Sequence, residues 1–306
     1  MKTSVLVSTY NGETYIGEQL KSLLGQSVKA DEVLIRDDCS TDSTCELIRS
    51  FIQENGLDNW SLTINKANVG FRKNFRFLAE EAKGDVIFFC DQDDVWGQYK
   101  IETCIAFLED CPEIDLICTD YVSSQNKSDI GRLRNSGKSD SRVLERVRPH
   151  LGKPYIWLGC AMAVRSSFIN DVMPYWLDDW AHDECMWCMS QVAGSCAILH
   201  ENHLWHREHG GNATGKRVHD KKKRVALLSE KSNGYAEVVR FCQDKGIIGE
   251  GPTIFEGMMH CEQMRVSFLQ DPSVGKALSL LRFLRFYPEP KSYLADMAVG
   301  FGVHSI

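Results

Sequence analysis

The chain has 306 residues, of which 43% are hydrophobic and 25% charged, with a formal net charge of −7. Such a length buries a substantial core and allows one large domain plus an appendage. The acidic balance argues against nucleic acid as the main partner, and no stretch approaches the roughly 20 apolar residues of a membrane span.

Met1-Lys2-Thr3-Ser4 leads straight into the strand-like run Ser4–Thr9, with no secretory h-region, so the expected compartment is cytoplasmic and the twelve cysteines reduced. Asn11-Gly12 reads as a turn, and Ile16, Leu20, Leu23 and Leu24 fall at helical spacing. Glu32–Arg36 is a second strand, followed by Ser43-x-x-Glu46 as a capping box for a helix carrying Leu47, Ile48 and Phe51. Ser61–Ile64 is a third strand, and residues 71–83 an amphipathic helix. The apolar run Asp85–Cys90 is a fourth strand, then come a helix near 97–110 and a strand at Ile114–Cys118. Repeated β-α units imply an α/β fold, a mostly parallel sheet flanked by helices, with ligands outside the strands' carboxyl ends.

Residues 122–150 are rich in Ser, Asn, Lys, Gly and Arg and read as one long loop. Tyr155 to Val164 resumes an apolar pattern, residues 182–193 read as a helix, and His203 to Gly215 as a polar, glycine-rich stretch. Residues 216–306 read as helical, broken near Gly246–Pro252 and Pro288–Pro290. Cys185-Met-Trp-Cys188 has the spacing of a zinc or redox pair, but no second pair exists and it lies within a helical pattern. Two apolar helix positions are the better account.

The most informative stretch is Asp91-Gln92-Asp93-Asp94-Val95-Trp96. Three carboxylates crowd the end of an apolar strand, where like charges repel unless a cation joins them. Hard oxygen donors at a sheet's mouth suit Mg²⁺ or Mn²⁺, shared with substrate phosphates. Thr9-Tyr10-Asn11 and Asp37-Asp38 also fall at strand carboxyl ends.

Strand-TYN, strand-DDCSTD, NVGF and strand-DQDDVW, in this order, resemble the inverting glycosyltransferases of family 2 over roughly residues 3–215. The resemblance implies a GT-A fold, with a nucleotide-sugar half at about 1–120, an acceptor half at about 121–215 and a helical extension over 216–306. DQDDVW, Trp157-Leu158-Gly159-Cys160, His182-Asp183 and HREHGGN look most like rhamnosyltransferases using dTDP-L-rhamnose. Two departures stand out: Asn68-Val-Gly70-Phe-Arg-Lys73-Asn74 compresses a usually longer segment, and Gln-x-x-Arg-Trp is absent, which argues against a processive polymerase.

In such an enzyme Asp93, with Asp91 through water, would hold the metal, and His209 would add a ligand or a phosphate contact. Asp94 would hold the loop or cap the next helix. Thr9 and Tyr10 would meet the nucleobase, with Tyr10 as the stacking ring. Asp38 or Asp37 would accept from the base's N3–H, the capping box leaving both free for a ligand. Asn68 and Gly70 would shape the base and ribose pocket, while Lys73 or Arg72 would reach a phosphate or lie on a solvated face. The resemblance places Gly159 and Cys160 against substrate and the base that deprotonates the acceptor at Asp183, with Glu184 as runner-up and His182 orienting it. Trp180 and Trp187 would stack on sugar or pack in the core. Arg207 offers a planar fork for a diphosphate, and Gly210-Gly211 would let its loop close.

Expected partners are a nucleotide-sugar donor, dTDP-rhamnose or a UDP-hexose, and a saccharide or lipid-linked acceptor. Lys221–Arg224 reads as a solvated helix face. Leu278–Phe286 reads as packed on the catalytic domain, with peripheral membrane contact as the alternative. A nucleotidyltransferase would want a glycine-rich basic loop after the first strand, and Ser8–Glu13 has one glycine and no lysine. A non-enzymatic nucleotide-binding module would not need DxD, His-Asp and the Arg207 loop together.

Overall fold

A computed structural model describes residues 1–134, 144–152, 154, 156–210 and 220–302. The first half runs β1 (Thr3–Thr9), α1 (Ile16–Leu24), β2 (Glu32–Asp37), α2 (Thr44–Glu54), β3 (Trp60–Ile64), α3 (Phe71–Glu81), β4 (Val86–Asp91), β5 (Val95–Trp96) and α4 (Lys100–Asp110). The second runs β6 (Leu116–Ser124), β7 (Leu144–Arg146), β8 (Met162–Arg165), α5 (Ser166–Val172), α6 (His182–Ala193) and β9 (Cys196–Arg207). A helical extension follows: α7 (Lys221–Lys245), α8 (Glu250–Gln270), α9 (Val274–Leu280) and α10 (Pro290–Gly300).

The strands form one sheet in the order β3-β2-β1-β4-β8-β6-β9-β5, with β7 also paired to β9. Val5–Val7, Val86–Cys90 and Leu116–Cys118 are at most 1% exposed, as continuous apolar runs covered on both faces should be. Parallel pairing holds among β1 to β4 and between β6 and β9. The sheet is nevertheless mixed rather than mostly parallel, because β8 runs antiparallel between β4 and β6, and β5 and β7 run antiparallel to β9.

Four local expectations change. Ser43 makes no side-chain cap; Asp42 Oδ1 accepts from Thr44 N at 3.0 Å and Glu13 Oε2 from Ser43 N at 3.0 Å instead. The long loop expected at 122–150 begins as strand, since β6 continues to Ser124, then forms a 3₁₀ turn at Lys127–Arg132 and ends in β7; residues 135–143 lie outside the described residues. The polar stretch after His203 is strand as far as Arg207, with buried Leu204 and Trp205 as its apolar content. Lys221–Arg224 is not wholly solvated: Arg224 Nε donates to Asp296 Oδ1 at 2.7 Å, and Arg265 Nε to Asp296 Oδ2 at 2.7 Å.

Helix α6 spans the residues its pattern predicts, and Cys185 and Cys188 are both buried in it. It docks the extension onto the sheet through α7. Trp180, just ahead of α6, sits so close to Gly234 of α7 that an added Cβ would lie 2.7 Å from the indole. Leu278–Phe286 packs mainly on α8, with Phe286 against Gly257, and its end also meets the catalytic part of the chain, where a Cβ at Gly152 would lie 3.3 Å from the Arg285 carbonyl.

Candidate active site

The carboxyl ends of β1, β2 and β4, the N-terminus of α6 and the end of β9 line one cavity of about 580 Å³. Its lining includes Thr9, Tyr10, Asp38, Asn68, Gly70, Asp91, Gln92, Asp93, Gly159, His182, Asp183 and His206. Residues separated by nearly two hundred positions thus meet where a sheet's topology places ligands.

One wall is held by backbone donors. Asp38 Oδ1 accepts from Val69 N and Asn65 Nδ2, and Oδ2 from Gly70 N, each at 2.8 Å. Gly70 has φ +85°, a conformation that side chains with a Cβ rarely adopt, and Asn68 Oδ1 accepts from its N–H at 3.1 Å. Buried Asn74 completes the frame, donating to Ser8 Oγ and Arg36 O at 2.8 Å and accepting from Asn65. Asp37 is a different case. Fully buried, it accepts from Thr9 Oγ1, Ser40 N and Ser40 Oγ, and it is absent from the cavity lining. It ties β1 to the β2 loop, and of the two aspartates only Asp38 lines the cavity. Tyr10 is 45% exposed, and Gln92 clamps its backbone at both N–H (2.8 Å) and C=O (3.0 Å).

The opposite wall is crowded with negative charge. Burial and then the Asp94 and Asp93 carboxylates push Asp91 up to about 8. Burial and Asp94 likewise raise Asp93, against the pull of His209, whose Nε2 lies 2.8 Å from Asp93 Oδ2. Asp94 is wholly buried; its Oδ1 meets His206 Nδ1 at 3.0 Å and Arg207 N at 3.2 Å, while Oδ2 finds no partner among the described residues. Burial opposes protonation of His206, but the Asp94, Asp91 and Asp93 carboxylates carry it upward. A carboxylate holding Nδ1 orients the ring and leaves Nε2 as a donor atom toward the cavity. Raised carboxyls, an orphaned buried oxygen and imidazoles beside them fit a divalent cation. Asp94, Cys160 and His206 also bring ligand-type atoms within 4.8 Å of one another. His206 was not singled out in the sequence; the signal available was its place in a histidine-rich run at a strand end.

Asp183 lies in the first turn of α6, where its Oδ1 accepts from Glu184 N at 2.8 Å, and its side chain lines the cavity. His182 is 4% exposed, stacks on Phe89 at 4.6 Å, and finds no hydrogen-bond partner at either nitrogen among the described residues. Burial holds it down at about 4, hence neutral. Gly159 is required beside it, because an added Cβ would lie 2.1 Å from His182 Nε2.

Several expected contacts lie elsewhere. Glu184 is absent from the lining and faces Lys231 and Glu230, with burial raising its carboxyl. Trp187 is fully buried core, and Trp180 is 1% exposed, so neither ring can stack on a sugar. Lys73 Nζ donates to Asp178 at 2.7 Å and Arg72 Nη1 to the Asp179 carbonyl at 2.6 Å, both on the loop ahead of α6. Cys160 is buried beside Asp94, and its carbonyl is fastened by the fully buried Lys100. Arg207 lies 4.6 Å from the Tyr15 ring and 4.4 Å from Trp205, donating to the Asp93 carbonyl at 2.9 Å and Glu18 at 2.5 Å. It braces the acidic loop from behind rather than lining the cavity. Gly211 and Asn212, part of the proposed closing loop, lie outside the described residues.

The family described as Glycosyl transferase family 2 matches residues 4–171. A dTDP-rhamnosyl transferase, RfbG of Shigella flexneri, is 27% identical over 243 residues, covering 74% of this chain and 80% of RfbG. An uncharacterized glycosyltransferase of Nostoc, alr2836, is 27% identical over 69% of this chain. The poly(ribitol-phosphate) β-N-acetylglucosaminyltransferase TarS of Staphylococcus aureus is 34% identical over 36% of this chain. These matches span 66% of alr2836 and 19% of TarS. Among solved structures, TarS residues 1–349 with UDP-GlcNAc superpose with a TM-score of 0.62 at 19% identity, covering 99% of this chain and 91% of that one. A mannosyltransferase from Pyrobaculum calidifontis with GDP-Man and Mn²⁺ gives 0.56 at 16%, covering 99% and 88%. These likenesses establish the GT-A architecture.

Proposed function

The chain belongs to glycosyl transferase family 2, and on that premise we propose that it moves L-rhamnose from dTDP-L-rhamnose onto a glycan acceptor, with inversion, in polysaccharide synthesis. The observation carrying the reading is that Asp183 shares one cavity with Asp38, Asp91 and Asp93. A base, a nucleotide anchor and an acidic cluster that calls for a cation are the groups such a transfer requires.

Asp38 accepts from the pyrimidine N3–H, Tyr10 offers its ring face, and Asn68 and Gly70 contour the base and ribose. Asp91 and Asp93, with His209 or His206, are the groups that would hold Mg²⁺ or Mn²⁺. Bound there, the ion would supply positive charge for the departing diphosphate. Asp183 removes the acceptor hydroxyl's proton as that oxygen attacks the anomeric carbon in line with the leaving group, which accounts for one inversion. His182, neutral and held between Phe75 and Phe89, puts no positive charge beside Asp183.

RfbG supports the rhamnosyl donor, being matched over most of both chains. A UDP-hexose is the second reading, favoured by the 34% identity to TarS over 112 residues. Nine cysteines buried as small apolar groups suit a reducing compartment, and we place the enzyme in the cytoplasm, acting on a saccharide or lipid-linked acceptor. The test is donor hydrolysis and transfer with dTDP-rhamnose and UDP-sugars, wild type against Asp183→Asn. Turnover of dTDP-rhamnose lost in the variant supports the proposal; turnover of UDP-sugars alone replaces the donor, and full activity of the variant removes Asp183 as base.

A further inference from the structure

The helical extension ends in a surface unlike the rest of the molecule. Val274, Leu278, Leu281 and Leu284 are 68%, 60%, 44% and 43% exposed. Helix α9 runs without a break into a 3₁₀ turn at Leu281–Phe286, so spacings of four, three and three residues align these side chains along one side. Six of the sixteen exposed large apolar side chains among the described residues fall between 274 and 301.

This is not a frayed tail. Ala277, Leu280 and Phe286 are buried, and a Cβ at Gly257 of α8 would lie 2.1 Å from the Phe286 ring. One side of the segment is therefore fastened to α8 while the other presents leucines to solvent. Alongside those leucines stand cations. Residues 278–291 hold Arg282, Arg285 and Lys291, all exposed, against one acid, Glu289, in a chain whose net charge is −7.

We propose that this face, Val274 to Leu284 edged by Arg282 and Arg285, docks the protein on an anionic lipid surface. Leucines enter the acyl boundary while arginines reach back to the headgroups. A protein partner's apolar patch is normally depleted of charge at its core, whereas a basic edge on a leucine stripe matches a negatively charged bilayer. Among the described residues no helix is long and apolar enough to cross a membrane, so contact would be peripheral.

The test is co-sedimentation of the full chain with phosphatidylcholine vesicles and with vesicles in which about one-third of the lipid is phosphatidylglycerol. Binding should appear on the anionic vesicles and be roughly tenfold weaker on neutral ones or at high salt. Leu278→Glu/Leu281→Glu should abolish it with an unchanged melting temperature. Arg282→Glu/Arg285→Glu should erase the preference for anionic lipid. No binding to anionic vesicles, or binding that survives both double variants, would overturn the proposal. So would a homodimer that Leu278→Glu/Leu281→Glu splits while vesicles are ignored. None of these readouts depends on the identity of the donor sugar.

Discussion

At the end of β2, Asp37 and Asp38 accept hydrogen bonds from three backbone N–H groups and from the side chains of Thr9, Ser40 and Asn65. At the end of β4, Asp91, Asp93 and Asp94 meet one another, two histidines and a cavity, and one of their buried oxygens has no partner among the described residues. Both groups are acidic and both close a strand of the same sheet. The first is completed by the fold. The second is left short of positive charge, and burial plus mutual repulsion raise Asp91 and Asp93. A carboxylate satisfied within the fold and shut off from the cavity, as Asp37 is, belongs to the architecture, and an unsatisfied one reports what the protein is built to receive.

Substitutions should separate the two groups and the base between them. The largest effect belongs to Asp183→Asn, which removes the proton acceptor and should lower kcat by about 10³-fold with an unchanged melting temperature; steady-state transfer assays and thermal melts check both. Asp37→Asn should cost about 2 kcal/mol of stability, because an amide cannot accept from all the donors now aimed at that carboxylate; urea unfolding measures it.

Asp91→Asn should do the reverse in metal-free protein, stabilising it by about 1 kcal/mol through relief of like-charge repulsion. The pH dependence has a definite sign. Because folding raises Asp91 to about 8, the folded state holds a proton that the unfolded chain releases near the ordinary carboxylate value. Its contribution is therefore full at acid pH and lost as pH rises from about 4 through 8. Metal-free melts across that window should slope downward in wild type and flatten in Asp91→Asn. The smallest effect is Lys73→Ala. With the ammonium paired to Asp178 on the surface, its loss should change stability by under about 0.5 kcal/mol and leave KM for the donor within twofold; a phosphate-binding lysine would raise KM far more.

What the sequence revealed and what it hid follow the same division. Period and composition carry β1, β2, β4 and α6, and hence the positions of Tyr10, Asp38, Asp91, Asp93 and Asp183, because a strand or helix announces itself locally. The partners of Asp37 and the outward course of Lys73 depend on side chains supplied by distant loops, which no local pattern encodes. The end of strand β9 was hidden by its own polarity: His203, His206 and Arg207 fell in a stretch read as polar and glycine-rich, yet the strand pairs with β6 through Arg207. One ring nitrogen of each of these histidines meets a carboxylate, His203 Nε2 with Glu201 at 3.2 Å and His206 Nδ1 with Asp94 at 3.0 Å. The fastening of Cys160 by Lys100 was invisible for the same reason, since a fully buried lysine is an exception to ordinary composition rules.

The central claim is that the cluster at the end of β4 receives a cation together with a nucleotide diphosphate. The direct measurement is the melting temperature of the metal-free protein with dTDP, UDP, GDP and CMP, each with and without Mn²⁺. A ligand that binds only the folded state raises that temperature in proportion to its affinity. The account predicts a large shift with dTDP and Mn²⁺ together and little with either alone, and the same synergy with UDP would keep the site and exchange the donor. Equal shifts with and without Mn²⁺, or no shift with any nucleotide, would contradict it.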